Sequence, residues 1–249
     1  MATTLKVQKT KCEQCPLRKM AQFREFTGDE LSFIKTFKSG ELHVEKGATI
    51  LMEGSASPHL YTVLRGWGFR YKILEDGRRQ ILNYILPGDL VGLQGSLLGD
   101  MQHSVEALSP VSLCVFEREK MKSLYSGHPT LGYDLTWIAS REERILDENL
   151  LSVGRRTAME RLAYLISILY KRANQAGMTH GAVTVIPLTQ YHVADTLGLS
   201  LVHTNKTLRR LVKLGLLNWL DRGFEVLDEQ GLRKIAAWQV VTEKNRPFI

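Results

Sequence analysis

Two groups of residues in this sequence stand at spacings that can do chemistry. Val202, Asn205, Lys206 and Arg209 fall on one helix face at i, i+3, i+4 and i+7, while Thr204, Leu208 and Leu211 fall on another. An Asn amide can pair with both N6 and N7 of adenine, a Lys ammonium suits guanine or a phosphate, and a valine can only touch a thymine methyl. Arg209, His203, Thr189 and Ser200 suit contacts to the sugar–phosphate backbone. The second group is Cys12 and Cys15, a Cys-x-x-Cys in a basic stretch, with Cys114 far downstream in the run SLCVF. Such thiols can bind Zn²⁺, switch as a redox pair, or form no site at all; Cys114 in a β run reads by default as a small buried hydrophobe. His43, His59 and His103 are widely spaced and lack the His-x-His start of a cupin metal centre. No nucleophile elbow, phosphate loop or HExxH is present, so a cupin-like enzyme is the weaker reading.

The face around Asn205 needs elements that hold it outward. Thr189 can cap a first helix of about eight residues whose inward positions are Val193, Ala194 and Leu197. Gly198 supplies a left-handed turn, Leu199 enters the core, and Ser200 caps the second helix. Gly215-Leu216-Leu217 ends that helix, and NWLDRGFEVL reads as a β-hairpin wing around Asp221-Arg222-Gly223. A pair of helices so arranged packs one face of the second helix on the first and presents the other to the major groove of double-stranded DNA. The alternative is a structural three-helix cluster that happens to be basic. Charge argues against it: residues 155–249 hold 14 Lys+Arg against 7 Asp+Glu, so the whole net charge of +7 sits there.

Upstream, Thr27 with Glu30 three places on forms a capping box for a short helix. From Glu41 to about Arg118, short β-rich runs alternate with Gly turns, including a tight hairpin at Glu75-Asp76-Gly77, which reads as a β-roll. Pro129 to about Ser152 reads as one long helix with Leu131, Leu135, Ile138, Ile145 and Leu146 at helical spacing. That stripe can lie on its own β-domain or pair with a second copy, and a helix linking two domains favours the homodimer seam. Residues 155–176 form a second amphipathic helix, with Leu162, Leu165, Ile166 and Leu169 as its apolar face. The expected division is 1–26 as a Cys-x-x-Cys leader, 27–128 as a β-roll sensor, 129–153 as the dimerisation helix and 154–249 as the DNA-binding domain. The expected fold class is α+β. No apolar run approaches the ~20 residues of a membrane helix, the start lacks a secretory h-region, and three cysteines do not suit a disulfide scaffold. A cytoplasmic protein with no membrane partner is expected.

The order of a jelly-roll-like β-roll, long helix and winged helix-turn-helix resembles the Crp/Fnr family of bacterial transcription regulators. GDLVGLQGSLLG resembles the family's β-roll motif and LGLSLVHTNKTLRRL its recognition region; the resemblance runs from about residue 10 to near the end. It implies a homodimer on a palindromic site, with RNA polymerase as a partner. Members that bind cyclic AMP carry a Glu for the ribose hydroxyl and an Arg-Ser pair for the phosphate. Here Leu93 and His103, followed by Ser104, stand at those positions. Leucine cannot accept a hydroxyl proton and a mostly neutral His is a poor phosphate clamp, so no cyclic AMP is expected. Many members also carry a Glu where Val202 stands, so the preferred half-site should differ from theirs. The oxygen-sensing branch holds a [4Fe–4S] cluster on four cysteines; Cys12, Cys15 and Cys114 match three, and the fourth ligand would fall near Ala21. The resemblance thus raises an iron–sulfur or thiol redox alternative. It leaves the sensed signal, the target genes and the sign of regulation open.

Overall fold

The computed structural model describes residues 10–239 and 245–249. The chain divides into two compact units. Described residues of the first fall in 10–70, 84–143 and 245–249, and those of the second in 71–83 and 144–239.

Two four-stranded sheets supply the strands of the first unit, and the hairpin of 71–83 is the part of them that falls in the second. One has the order β1 (Lys38–Val44), β8 (Val111–Glu117), β3 (His59–Arg65), β6 (Leu90–Val91); the other is β2 (Thr49–Leu51), β7 (Ser104–Ala107), β4 (Gly68–Ile73), β5 (Arg79–Ile85). The two-residue period of a strand gives each sheet two faces. Tyr61 and Val63 of β3, with Leu113 of β8, meet Leu51, Ile85 and Val105 in one core. Leu60, Leu64, Cys114 and Phe116 point the other way, into a second core with Ile34, Phe37 and Leu124. Helix α1 (Gly28–Phe37) lines that second core and opens on the expected capping box. The Thr27 hydroxyl accepts from the Glu30 amide at 3.2 Å, and the Glu30 carboxylate from the Thr27 amide at 2.8 Å. The turn after β4 uses Gly77 at φ +85°, as Glu75-Asp76-Gly77 foretold. Helices α2 (Leu93–Leu98) and α3 (Met121–Gly127) follow, and α4 runs from Pro129 to Arg155 as the long helix expected.

Three expectations about this unit are corrected. Leu131, Leu135 and Ile138 were assigned to a dimer seam, yet they are buried in their own unit's second core beside Leu60 and Phe116. Ile145 is also buried within the chain and Leu146 is half-buried. The apolar period was real, but the β-domain covers it. The exposed apolar residues of α4 are instead Tyr133, Leu150 and Leu151. The stretch before residue 27 is not a free leader: Leu17 and Phe23 are buried, and Arg24 bonds the carboxylates of Glu30 and Asp134. Asn245–Ile249, expected in the DNA-binding domain, belongs to the first unit.

In the second unit, α5 (Ala158–Gln175) buries Leu162, Leu165, Ile166 and Leu169. Gly177 and Gly181 turn the chain at φ +65° and +62° into β9 (Thr179–His180) and β10 (Val183–Val185). Then come α6 (Gln190–Leu197), α7 (Leu201–Lys213), β11 (Leu217–Leu220), β12 (Gly223–Val226) and α8 (Glu229–Ala236), with sheet order β11-β12-β10-β9. Gly223 is required where β12 meets β10: a Cβ there would lie 2.0 Å from the Thr184 carbonyl oxygen. Among the described residues, no helix is long and apolar enough to cross a membrane.

Candidate nucleic-acid interface

The α6–α7 pair is set by local chemistry. Thr189 caps α6, its hydroxyl accepting from the His192 amide at 3.3 Å, and His192 Nδ1 accepts in return from the Thr189 amide at 3.1 Å. Val193, Ala194 and Leu197 are buried, as their spacing required. Gly198 turns at φ +64°, ψ +38°, and the Ser200 hydroxyl caps α7 by accepting from the His203 amide at 3.2 Å. The last carbonyls of α6 are claimed by side chains: Gln80 donates to Thr196 O at 3.0 Å and Arg161 to Leu197 O at 2.9 Å. Arg79 pairs with Asp195 at 2.9 Å. The turn between the two helices is thereby fixed on both sides. Leu199 is only half-buried, short of the core position expected of it.

Helix α7 divides by face. Thr204, Thr207, Leu208 and Leu211 are buried. Val202, His203, Lys206 and Arg209 are exposed, Val202 by 79%. Asn205 is half-buried, and its Oδ1 is buried without a hydrogen-bond partner among the described residues. Thr189 lies at the start of α6 and Ser200 at the start of α7, both exposed or nearly so. Lys213 was missed by the sequence reading; at i+11 from Val202 it continues the same face, and it is exposed. Arg222 is exposed at the tip of the β11–β12 wing. This surface offers cations, one amide and one methyl pair, which can neutralise phosphates and read base edges.

The three cysteines are brought together in the first unit. Cys12 opens one 3₁₀ turn, Cys15 precedes another, and both face a small apolar pocket shared with Cys114 of β8, Leu17, Ile34 and Phe116. All three are free thiols. Burial raises all three thiols from their usual value, Cys114 the most, although the Lys38 ammonium opposes it. Lys38 is itself held at 2.7 Å by Glu41 and donates to Thr10 O at 2.7 Å. Among the described residues, no group of three or more His, Cys, Asp and Glu is placed to hold a metal ion. Ala21, at the place of the fourth thiolate, is exposed and offers no donor. The expected metal or iron–sulfur role of Cys12, Cys15 and Cys114 therefore does not fit this geometry.

At the nucleotide-site positions, Leu93 opens α2 half-buried and His103 is buried. The Ser104 hydroxyl accepts from the Glu53 amide at 3.0 Å.

Comparison with known proteins agrees with this layout. A family model described as a cyclic nucleotide-binding domain matches residues 41–128, and one described as a Crp-like helix-turn-helix domain matches residues 160–235. The nitrogen fixation regulation protein FixK of Bradyrhizobium diazoefficiens is 28% identical over 91% of this chain and 94% of its own. A protein of Rhizobium leguminosarum bv. viciae described as a "Probable transcriptional activator" is 31% identical over 70% of this chain and 71% of its own. The solved structure of FixK2 from Bradyrhizobium japonicum superposes with a TM-score of 0.72 at 27% identity, covering 80% of this chain and 98% of that one. With its β-roll, long helix and outward-facing recognition helix, the chain belongs to the Crp/Fnr family of DNA-binding transcription regulators.

Proposed function

We propose that this regulator works as a homodimer on a palindromic DNA site, in the cytoplasm beside RNA polymerase, and that its signal is not a cyclic nucleotide. The observation that carries the reading is the outward face of α7, where Val202, Lys206 and Arg209 are exposed and Asn205 is half-buried among them. Asn205 reads adenine and Lys206 meets a guanine or a phosphate; Arg209, His203, Thr189 and Ser200 grip the backbone. Two copies related by a two-fold axis would place these faces about 34 Å apart, one turn of the double helix. The partner meets the exposed side of α4, where Tyr133, Leu150 and Leu151 are uncovered and Leu146 is half-buried. Leu93 offers no acceptor to a ribose and buried His103 stands where a phosphate would need an arginine, which supports independence from cyclic nucleotides.

Footprinting of the purified protein on genomic fragments tests the first part. Two protected half-sites with dyad symmetry are expected; a lone half-site, or no protection above random DNA, would overturn it. Calorimetry with cyclic AMP and cyclic GMP tests the second, and micromolar binding of either would sink it.

A further inference from the structure

Asn245–Ile249 follows the reader in sequence yet lies wholly among residues of the first unit. Its contacts run to the stretch around Phe23, to β3 and to the turn before β6, and all of it but Asn245 is buried. The Arg246 amide donates to Gln22 O at 2.7 Å and the Arg24 amide to Arg246 O at 3.0 Å, a single isolated parallel bridge rather than a strand. Phe248 sets its ring edge against Phe23, with centroids 5.1 Å apart, and lies tilted on Phe26 at 4.8 Å. The Thr62 hydroxyl donates to Ile249 O. The Arg246 guanidinium donates to Gly88 O at 2.8 Å and to Asp89 at 2.6 Å. Phe248 and Ile249 help wall the pocket that Cys12, Cys15 and Cys114 face.

The carboxylate that Arg246 holds has a second cation beside it. A buried carboxylate stripped of its cation normally bars release, because the uncompensated charge stays out of water. Asp89 avoids that fate. Arg141 of α4, also buried, stands 3.5 Å from the same carboxylate oxygen, and the Leu86 amide donates to its other oxygen at 2.7 Å. We propose that Asn245–Ile249 is a releasable strap, an internal peptide ligand that closes the thiol-walled pocket and shares Asp89 with Arg141. The dock recognises a short peptide in which an arginine precedes an aromatic–aliphatic pair. By linkage, any compound that binds the pocket only when the strap is out must expel the strap by the same factor by which the strap weakens it.

The test uses the full chain. Native-state hydrogen exchange reads the strap through the amides of Arg24 and Arg246, against those of the β3–β8 ladder. The strap amides should exchange at least about tenfold faster than the ladder, through local opening. Equal rates would make the segment a fixed part of the core and overturn the proposal, with no variant needed. Maleimide labelling of Cys114, followed by mass spectrometry, reads the pocket. Phe248→Ala should raise the labelling rate about tenfold or more, and Arg246→Ala, which leaves the apolar anchor in place, by a smaller factor. Excess synthetic peptide of sequence Asn-Arg-Pro-Phe-Ile should return the Phe248→Ala protein toward the wild-type rate. Wild-type labelling in both variants, or no protection by the peptide, would refute the strap. If Phe248→Ala does not fold, Arg246→Ala with the wild-type exchange data still decides.

Discussion

Asn205→Ala separates reading from folding, because its two effects should differ in sign. In the free protein Asn205 is half-buried and its Oδ1 accepts no hydrogen bond among the described residues. An unsatisfied buried acceptor costs about 1–3 kcal/mol, a penalty that alanine removes along with the amide. Thermal stability should hold or rise by a few degrees, since ~1 kcal/mol moves Tm by roughly 2–4 °C in a chain of this size. On DNA the same change removes a bidentate partner of adenine, about 1–3 kcal/mol at one base pair, or roughly 5- to 150-fold in Kd. Affinity for random DNA should stay put, because no phosphate contact is lost. The assay is fluorescence anisotropy at one fixed salt concentration, on the preferred site and on the same site changed one base pair at a time. The variant should bind the preferred site and one particular mutant site equally well. Equal losses on specific and random DNA would refute the reading role. A Tm drop of several degrees would show that the amide supports the fold instead. Arg209→Ala is the control: it should weaken all sequences alike and lower the salt slope by about one.

Leu150 is 74% exposed, so Leu150→Asp should leave the monomer folded and shift light scattering toward monomer. Leu131→Ala should instead cost about 2–5 kcal/mol of folding stability in denaturant melts, because its side chain lies in the chain's own core; the reverse pattern would restore Leu131 to the seam. Gly223→Ala should destabilise the wing by more than the ~1–3 kcal/mol of backbone strain alone, since its Cβ meets the Thr184 oxygen at 2.0 Å; rapid amide exchange over 217–226 checks it. Glu41 is desolvated, yet its hydrogen bond and ion pair with Lys38 hold its carboxyl below the usual range. Its contribution is therefore complete above the unfolded value of ~4.3 and fades as pH falls through the lower folded value. Glu41→Gln should flatten acid unfolding in that window while costing stability at neutral pH.

The reader was legible because its signals are local. Thr189, Gly198 and Ser200 are residue types that a cap, a left-handed turn and a second cap demand, and each bonds or turns as its type dictates. The outward face ended at Arg209 in the sequence reading only because the pattern was not carried on to Lys213. The long helix shows where pattern runs out. Spacing identified Leu131, Leu135 and Ile138 as covered, but periodicity is silent on what covers them, and the answer lay in Leu60 and Phe116 of the β-roll. Phe23 and Phe248 gave no warning at all. Each is an isolated aromatic in a polar stretch, and they meet across more than two hundred residues of chain, beyond any local rule. The cysteines face one pocket, yet spacing could not reveal that the wall around them would be apolar.

Val202 has a thermodynamic consequence. Most of its side chain faces water in a face otherwise made of cations and an amide. Closing that methyl pair against a thymine methyl removes apolar surface on both partners, and apolar burial carries a negative heat-capacity change. The ionic contacts of Lys206 and Arg209 carry their signature in salt instead. Correct and random DNA should thus differ in curvature with temperature: the enthalpy of specific binding falls more steeply on warming. A single uncovered valine would make the fidelity of this regulator a function of heat as well as of sequence.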